Sequence, residues 1–421
     1  MSTTSRREPA IADLCPHINL ANPGNYQQTP FHWYRELRQK CPVAWHEDAD
    51  SGVGFWAITR QAELDYISRN PQLFSSSERG FTFKESTEDE LVMLRNMLLT
   101  MDPPDHIKYR KIIAAAFKPR SIEALQPFLA KAAKRIIDEV APRGECEFVA
   151  DVAARLPMLV ICHLLGAPES DAAQINDWAN ACLGEDDPEF SEQELDLWIA
   201  AGQIFEYARK LAERYRGSDA DNLTVRLVKA NVDGEALTDH EFGFFFFLIL
   251  LAGPETTRTA TTTGMKLLME HPEQLQMLLD DPALIPDAVE EILRYDAPVI
   301  QFRRTATQDL ELAGQQIRKG DKVVLSYASA NHDEAVFEEP ERFDITRGQR
   351  MDIHRAHRSF GTGEHFCIGV HLARLMLTTI FTEMLPRLRN ARPAGEYRRL
   401  RSRDVTAPKS MPISFDPEVA A

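Results

Sequence analysis

The sequence predicts a mainly α-helical fold with small β-sheets, and three observations carry that expectation. Apolar residues recur at helical spacing over long windows, most clearly at Leu125, Phe128, Leu129, Ala132, Ile136 and Val140. Strand-like stretches are few and short. No internal repeat or linker-like change of composition divides the 421 residues, so one domain over 1–421 is expected, with residues 1–25 as a loosely ordered arm.

In chain order, Thr29 before Pro30 reads as the cap and first-turn proline of a helix through Trp33, Leu37 and Cys41. Strands are expected at 42–45 and 54–59, then a helix over 61–69 that stops before Asn70 and Pro71, because a residue preceding proline is steered out of the α region. Residues 75–100 have no clean period. Ser121 stands where a cap of the 125–140 helix is expected. Further helices are expected at 151–165, 170–183 and 191–215. Thr238 and Glu241 have capping-box spacing at the start of a very apolar helix that reaches Glu270, just before Pro272. A helix over 285–295, strands at 310–312 and 322–326, and a last helix running from Cys367 to residue 388 complete the expected elements.

Apolar residues make up 44% and charged residues 27%, enough for a core and unlike a disordered chain. The net charge of −16 argues against nucleic acid or an anionic membrane as partner. The longest apolar run, 242–252, falls short of the roughly 18 residues that suggest a membrane span, and the first thirty residues lack the apolar stretch of a secretory leader. The chain is therefore expected to be cytoplasmic and without a membrane anchor. Six cysteines, at 15, 41, 146, 162, 182 and 367, are far apart with no CxxC pair, which argues against a zinc ribbon.

Cys367 differs from the other five through its neighbours. It stands in Phe360-Gly361-Thr362-Gly363-Glu364-His365-Phe366-Cys367-Ile368-Gly369, directly before a helix containing Leu372, Ala373 and Arg374. Amide donors and the positive end of a helix favour thiolate over thiol, and flanking glycines let the backbone approach a flat ligand. Glu291 and Arg294 lie three apart on one face of the 285–295 helix, and Arg342 follows in Pro340-Glu341-Arg342-Phe343. On the apolar helix, Ala252-Gly253-Pro254-Glu255-Thr256-Thr257 sets a carboxylate beside hydroxyls where burial is costly without a partner. Pro254 removes an amide and frees the carbonyl of Leu250, which is expected to bend the helix. His106 and Arg110, in Asp102-Pro103-Pro104-Asp105-His106-Ile107-Lys108-Tyr109-Arg110, are one helical turn apart and can both donate to an anion on one side.

These segments together resemble the cytochrome P450 family, soluble bacterial type, over nearly the whole chain. The resemblance implies the P450 fold and haem b, with Cys367 as the iron ligand in the loop marked by Phe360, Gly363, His365 and Gly369. It implies that His106, Arg110, Arg304 and His365 bind the propionates, with Arg303 as a substitute for Arg304. Ala252 and Gly253 would flank the oxygen-binding groove, and Glu255 and Thr256 would be the acid and alcohol that deliver protons. Glu291, Arg294 and Arg342 would form a buried structural cluster. The activity implied is insertion of one oxygen atom of O2 into a hydrophobic substrate.

No flavin or iron–sulfur signature is present, so a separate ferredoxin is the expected electron donor, docking on Lys108, Lys111, Arg355 and Arg358. By resemblance the substrate pocket takes Phe81, Phe83, Leu98, Phe247, Leu248, Val299, Ile300, Phe302 and Ala407, a large apolar set, with Arg79 and Lys84 as possible anchors for a carboxylate. The tail and the cysteine loop are similar to those of family members acting on sterol side chains, terpenoids and methyl-branched lipids. A peroxide-driven member of the fold or a haem-binding sensor without catalysis are the alternatives; Thr256 argues against both, because neither needs an acid beside an alcohol.

Overall fold

The computed structural model describes residues 10–49, 51–182, 187, 189 and 194–418. The long helix Asp239–Glu270 is its axis. Thr238 and Glu241 close the expected capping box at its start, and the helix runs unbroken through Pro254. Helices Arg155–Leu165, Ile285–Tyr295 and Val370–Met384 pack against it. Helix Gln126–Val140 packs on the last of these, burying Leu129, Ala132, Ile136 and Val140 as the 3.6-residue period requires.

Against this helical body lies a five-stranded sheet in the order Val43–His46, Phe55–Ile58, Lys322–Ser326, Gln301–Ala306, Phe74–Ser75. Only the pairing of Phe55–Ile58 with Lys322–Ser326 is parallel. Its other cover comes from the amino-terminal segment: Ile11, Cys15, Ile18, Leu20 and Tyr26 are buried in a cluster with Phe55 and Val324. The expected loose arm is thus corrected for residues 10–25, whose apolar side chains have nowhere else to bury.

Several boundaries also differ from the sequence reading. The first long helix is Phe31–Lys40 with Pro30 at its cap position, and the Thr29 hydroxyl makes no hydrogen bond. Ser121 lies inside a short helix, Pro119–Glu123, and bonds back to the Ala115 carbonyl rather than capping the Gln126–Val140 helix. The unpatterned 75–100 region holds a helix, Glu88–Leu94, started by a Thr87–Glu90 capping box. Strand Gln301–Ala306 is not legible in the sequence, because Arg303 and Arg304 interrupt its apolar pattern although both are buried.

Candidate functional site

The sheet, the long helix and the helix after Cys367 enclose about 1520 Å3 of atom-free space, mouth included. Cys367 lies on its floor, its amide donating to the Phe360 carbonyl at 2.9 Å. The loop turns through Gly361 and Gly363 at φ of +68° and +71°. Gly363 is held there by contact as well as by torsion, since an added Cβ would lie 2.1 Å from the Ser68 carbonyl oxygen. Removal from water pushes the Cys367 thiol up, and the Gly369 amide, Arg110 and Arg374 act in the other direction.

His106, Arg110, Arg304 and His365 converge on the cavity. The two imidazole centroids are 4.2 Å apart, and Nδ1 of His106 is buried without a partner. Arg304 donates to the Arg303 carbonyl at 2.7 Å and Arg110 to that of Phe366 at 2.5 Å. Burial, then the cations nearby, pushes His106 down to about 4 and His365 down to about 2. Among the described residues no carboxylate lines this space. Two guanidiniums and two neutral imidazoles with spare donors fit a planar ligand carrying two anionic arms, as haem b does. Arg303 cannot stand in for Arg304: the strand's alternation turns it to the other face, where it bonds Glu85 at 2.7 Å.

On the long helix, Ala252, Gly253, Thr256 and Thr257 line the cavity. The Thr256 hydroxyl donates to the Ala252 carbonyl at 3.0 Å. At Gly253 the position a Cβ would take is 2.9 Å from Ile161, so this glycine lets a neighbouring helix close in. Glu255 does not share the cavity face. It is buried with Pro254 against Met158, Asn180 and Arg258 in a separate small pocket, and it pairs with Arg258. Residues 252, 253, 256 and 257 take the cavity side of the helix, and Glu255 takes the side toward Asn180 and Arg258. Pro254 lines the same small pocket, and the helix continues through it.

Of the expected pocket residues, Leu98, Leu248, Val299 and Phe302 line the cavity, joined by Leu99, Ile161 and Ile249. Five are elsewhere. Phe83 and Ile300 are buried in the cluster under the amino-terminal segment, where Lys322 lies 3.9 Å from the Phe83 ring centroid. Phe81 touches the cavity only through Phe302, Phe247 stacks on Phe205, and Ala407 is buried in the tail. Arg79 and Lys84 pair with Glu88 and Glu90.

The expected structural cluster is corrected at one member. Glu291 and Arg294 pair at 2.7 Å with neither side chain exposed, but Arg342 points outward to Glu339. Arg347 takes its place, reaching Glu291 at 3.0 Å, and Arg342 contributes only its carbonyl. The signal was present in Phe343-x-Ile345-x-Arg347, where two buried apolar residues carry the arginine inward.

The cytochrome P450 family model matches residues 199–403. The chain is 37% identical over 402 residues to the steroid C26-monooxygenase of Mycobacterium tuberculosis, covering 93% of this chain and 90% of the relative. It is 33% identical to linalool 8-monooxygenase of Pseudomonas putida, over 95% of this chain and 99% of the relative. Its fold is similar to that of Mycobacterium marinum cytochrome P450 CYP268A2 in complex with pseudoionone, with TM-score 0.86, 36% identity, and 94% and 98% of the two chains covered.

Proposed function

The chain belongs to the cytochrome P450 family of haem-binding monooxygenases, and from that premise we propose that Cys367 is the thiolate ligand of the iron and that the cavity receives an uncharged, branched apolar substrate for hydroxylation. The observation that carries this reading is the division of the cavity. Its cations are gathered at His106, Arg110, Arg304 and His365, while Leu98, Leu99, Leu248, Ile249, Val299 and Phe302 make an apolar wall. With the four donors assigned to the propionates, no charge remains among the described cavity residues for a substrate carboxylate. A sterol side chain, a terpenoid or a methyl-branched lipid fits such a wall, and the steroid- and linalool-oxidising relatives favour the same classes. Titration of the ferric protein with one member of each class should move the Soret band to high spin for at least one. No shift with any, together with a shift for a small aromatic acid, would reject the substrate assignment.

Haem b, when bound, supplies O2 activation and oxygen-atom transfer. With haem b bound, His106, His365, Arg110 and Arg304 would hold its propionates, the ring N–H groups donating and the two guanidiniums balancing the charge. The Thr256 hydroxyl donates to the Ala252 carbonyl, which leaves its lone pairs to accept a hydrogen bond from the cavity side. Glu255 would pass a proton toward Thr256 only after its carboxylate leaves Arg258 and the pocket that holds it. Thr256→Ala should lower product formed per electron pair on the order of 100-fold, with peroxide released instead. Unchanged coupling would remove Thr256 from the proton path, and activity with peroxide but not with ferredoxin and NAD(P)H would favour the peroxygenase reading.

Electrons are proposed to come from an acidic ferredoxin docking beside the cysteine loop. Lys111 is exposed there, as are Arg355 and the apolar Ile107 and Phe366. Lys108 is paired with Asp233 at 2.7 Å and Arg358 with Asp65 at 2.6 Å, so neither is a free docking charge. Lys111→Glu should slow ferredoxin-supported reduction about tenfold at low salt, with the difference shrinking as salt is added. Equal rates at all salt concentrations would move the docking site elsewhere.

A further inference from the structure

Glu290 is the unassigned neighbour of Glu291, and it faces the other way. Its side chain is 1% exposed, and it receives Arg374 Nε and Nη2 at 2.7 Å each and His357 Nε2 at 2.9 Å. His354 adds a looser contact at 3.5 Å. Nδ1 of His357 accepts the Ser359 amide at 3.2 Å, so a neutral ring with its proton on Nε2 satisfies both nitrogens, in keeping with burial pulling this histidine down. Despite its own burial, Glu290 is held well below the usual carboxylate range by these donors.

The three partners share one property. His354 and His357 lie on the chain entering the cysteine loop, and Arg374 lies on the helix leaving it. Between them is Phe360, with the Arg374 guanidinium carbon 5.1 Å from its ring centroid and the His357 ring centroid 5.7 Å away. The Phe360 carbonyl in turn accepts the Cys367 amide at 2.9 Å. One buried carboxylate on a separate helix therefore ties both ends of the loop. It makes none of the Glu291 contacts, which go to Arg294 and Arg347.

We propose that Glu290, through Arg374 and His357, is a positioning residue that fixes where Cys367 presents its sulfur. The proposal rests on the reading of Cys367 as the iron ligand, which the wild-type spectrum tests separately: without a thiolate-type ferrous carbonyl band in the wild type, that reading fails first. Given that band, haem-loaded Glu290→Gln and Arg374→Lys should show a larger fraction of carbonyl complex without thiolate ligation, a shifted ferric/ferrous potential, and transfer of haem to apomyoglobin about tenfold faster. Glu290→Gln keeps shape and volume, and Arg374→Lys keeps charge while losing the two-pronged geometry. Glu85→Gln, which breaks the buried contact to Arg303 far from the loop, serves as the control: it should lower thermal stability and leave band and potential unaltered. Folded Glu290→Gln and Arg374→Lys proteins with wild-type band, potential and haem transfer would overturn the proposal, as would the same spectral change in Glu85→Gln.

Discussion

Glu291→Ala should lower the stability of the protein by about 3–5 kcal/mol, the range for stripping one partner from a buried ion pair. The carboxylate has four donors: Arg294 Nη2 at 2.8 Å and the Asp344 amide at 2.9 Å on Oε1, and Arg294 Nε at 2.7 Å and Arg347 Nε at 3.0 Å on Oε2. Its removal leaves two guanidiniums out of water without a counter-charge. Their remaining bonds, to the carbonyls of Asn331, Pro340, Glu338 and Arg342, hold the segment ahead of the cysteine loop. The damage is therefore expected to spread toward the site. Arg347→Ala leaves Glu291 paired with Arg294 but strips the Glu338, Glu339 and Arg342 carbonyls of a donor, so its loss should be smaller than at Glu291 and larger than at Arg342. Arg342→Ala removes only an exposed pair with Glu339 and should change stability by less than about 1 kcal/mol. Denaturant melts of the three haem-loaded variants decide the matter. Equal losses at 342 and 347 would mean that the cluster is assembled otherwise.

That contrast also marks how far the sequence could be read. The capping box at Thr238 and Glu241 needs only four residues, and the helix it starts has its expected ends. The same holds for Ile285–Tyr295, whose apolar and polar positions separate cleanly around the turn. Legibility fails where a side chain's direction depends on packing partners distant in the chain. Nothing local in Phe302-Arg303-Arg304 says which arginine faces the cavity; the register against Lys322–Ser326 does. Nothing local makes Phe83 a core residue, since it is covered by the amino-terminal segment and by Lys322 and Arg403. Glu290 could not be distinguished from Glu291 by spacing, because their separate roles come from residues 354–374 on one side and 331–347 on the other. Glu255 is the exception, because its partner Arg258 stands three residues on and is visible in the sequence.

Cys367→Ser should abolish the thiolate-type ferrous carbonyl band and lower O2-dependent product formation by at least about 100-fold, the upper end of what losing a supporting partner around a metal costs. The variant should still fold and retain haem more weakly, because the propionate donors and the apolar walls are contributed by other elements. No other side chain can restore the band. Of the six cysteines only Cys367 lines the cavity, and Cys15, Cys41, Cys146 and Cys162 are buried in other parts of the core. Burial pushes those four thiols and that of Cys182 up as it does Cys367, so it is place in the fold that singles out Cys367. His365, two residues away, is an imidazole held neutral, and its capture of the iron would give a different band. Persistence of the thiolate-type band in Cys367→Ser would therefore require a rearranged core, and circular dichroism together with haem content would reveal that directly.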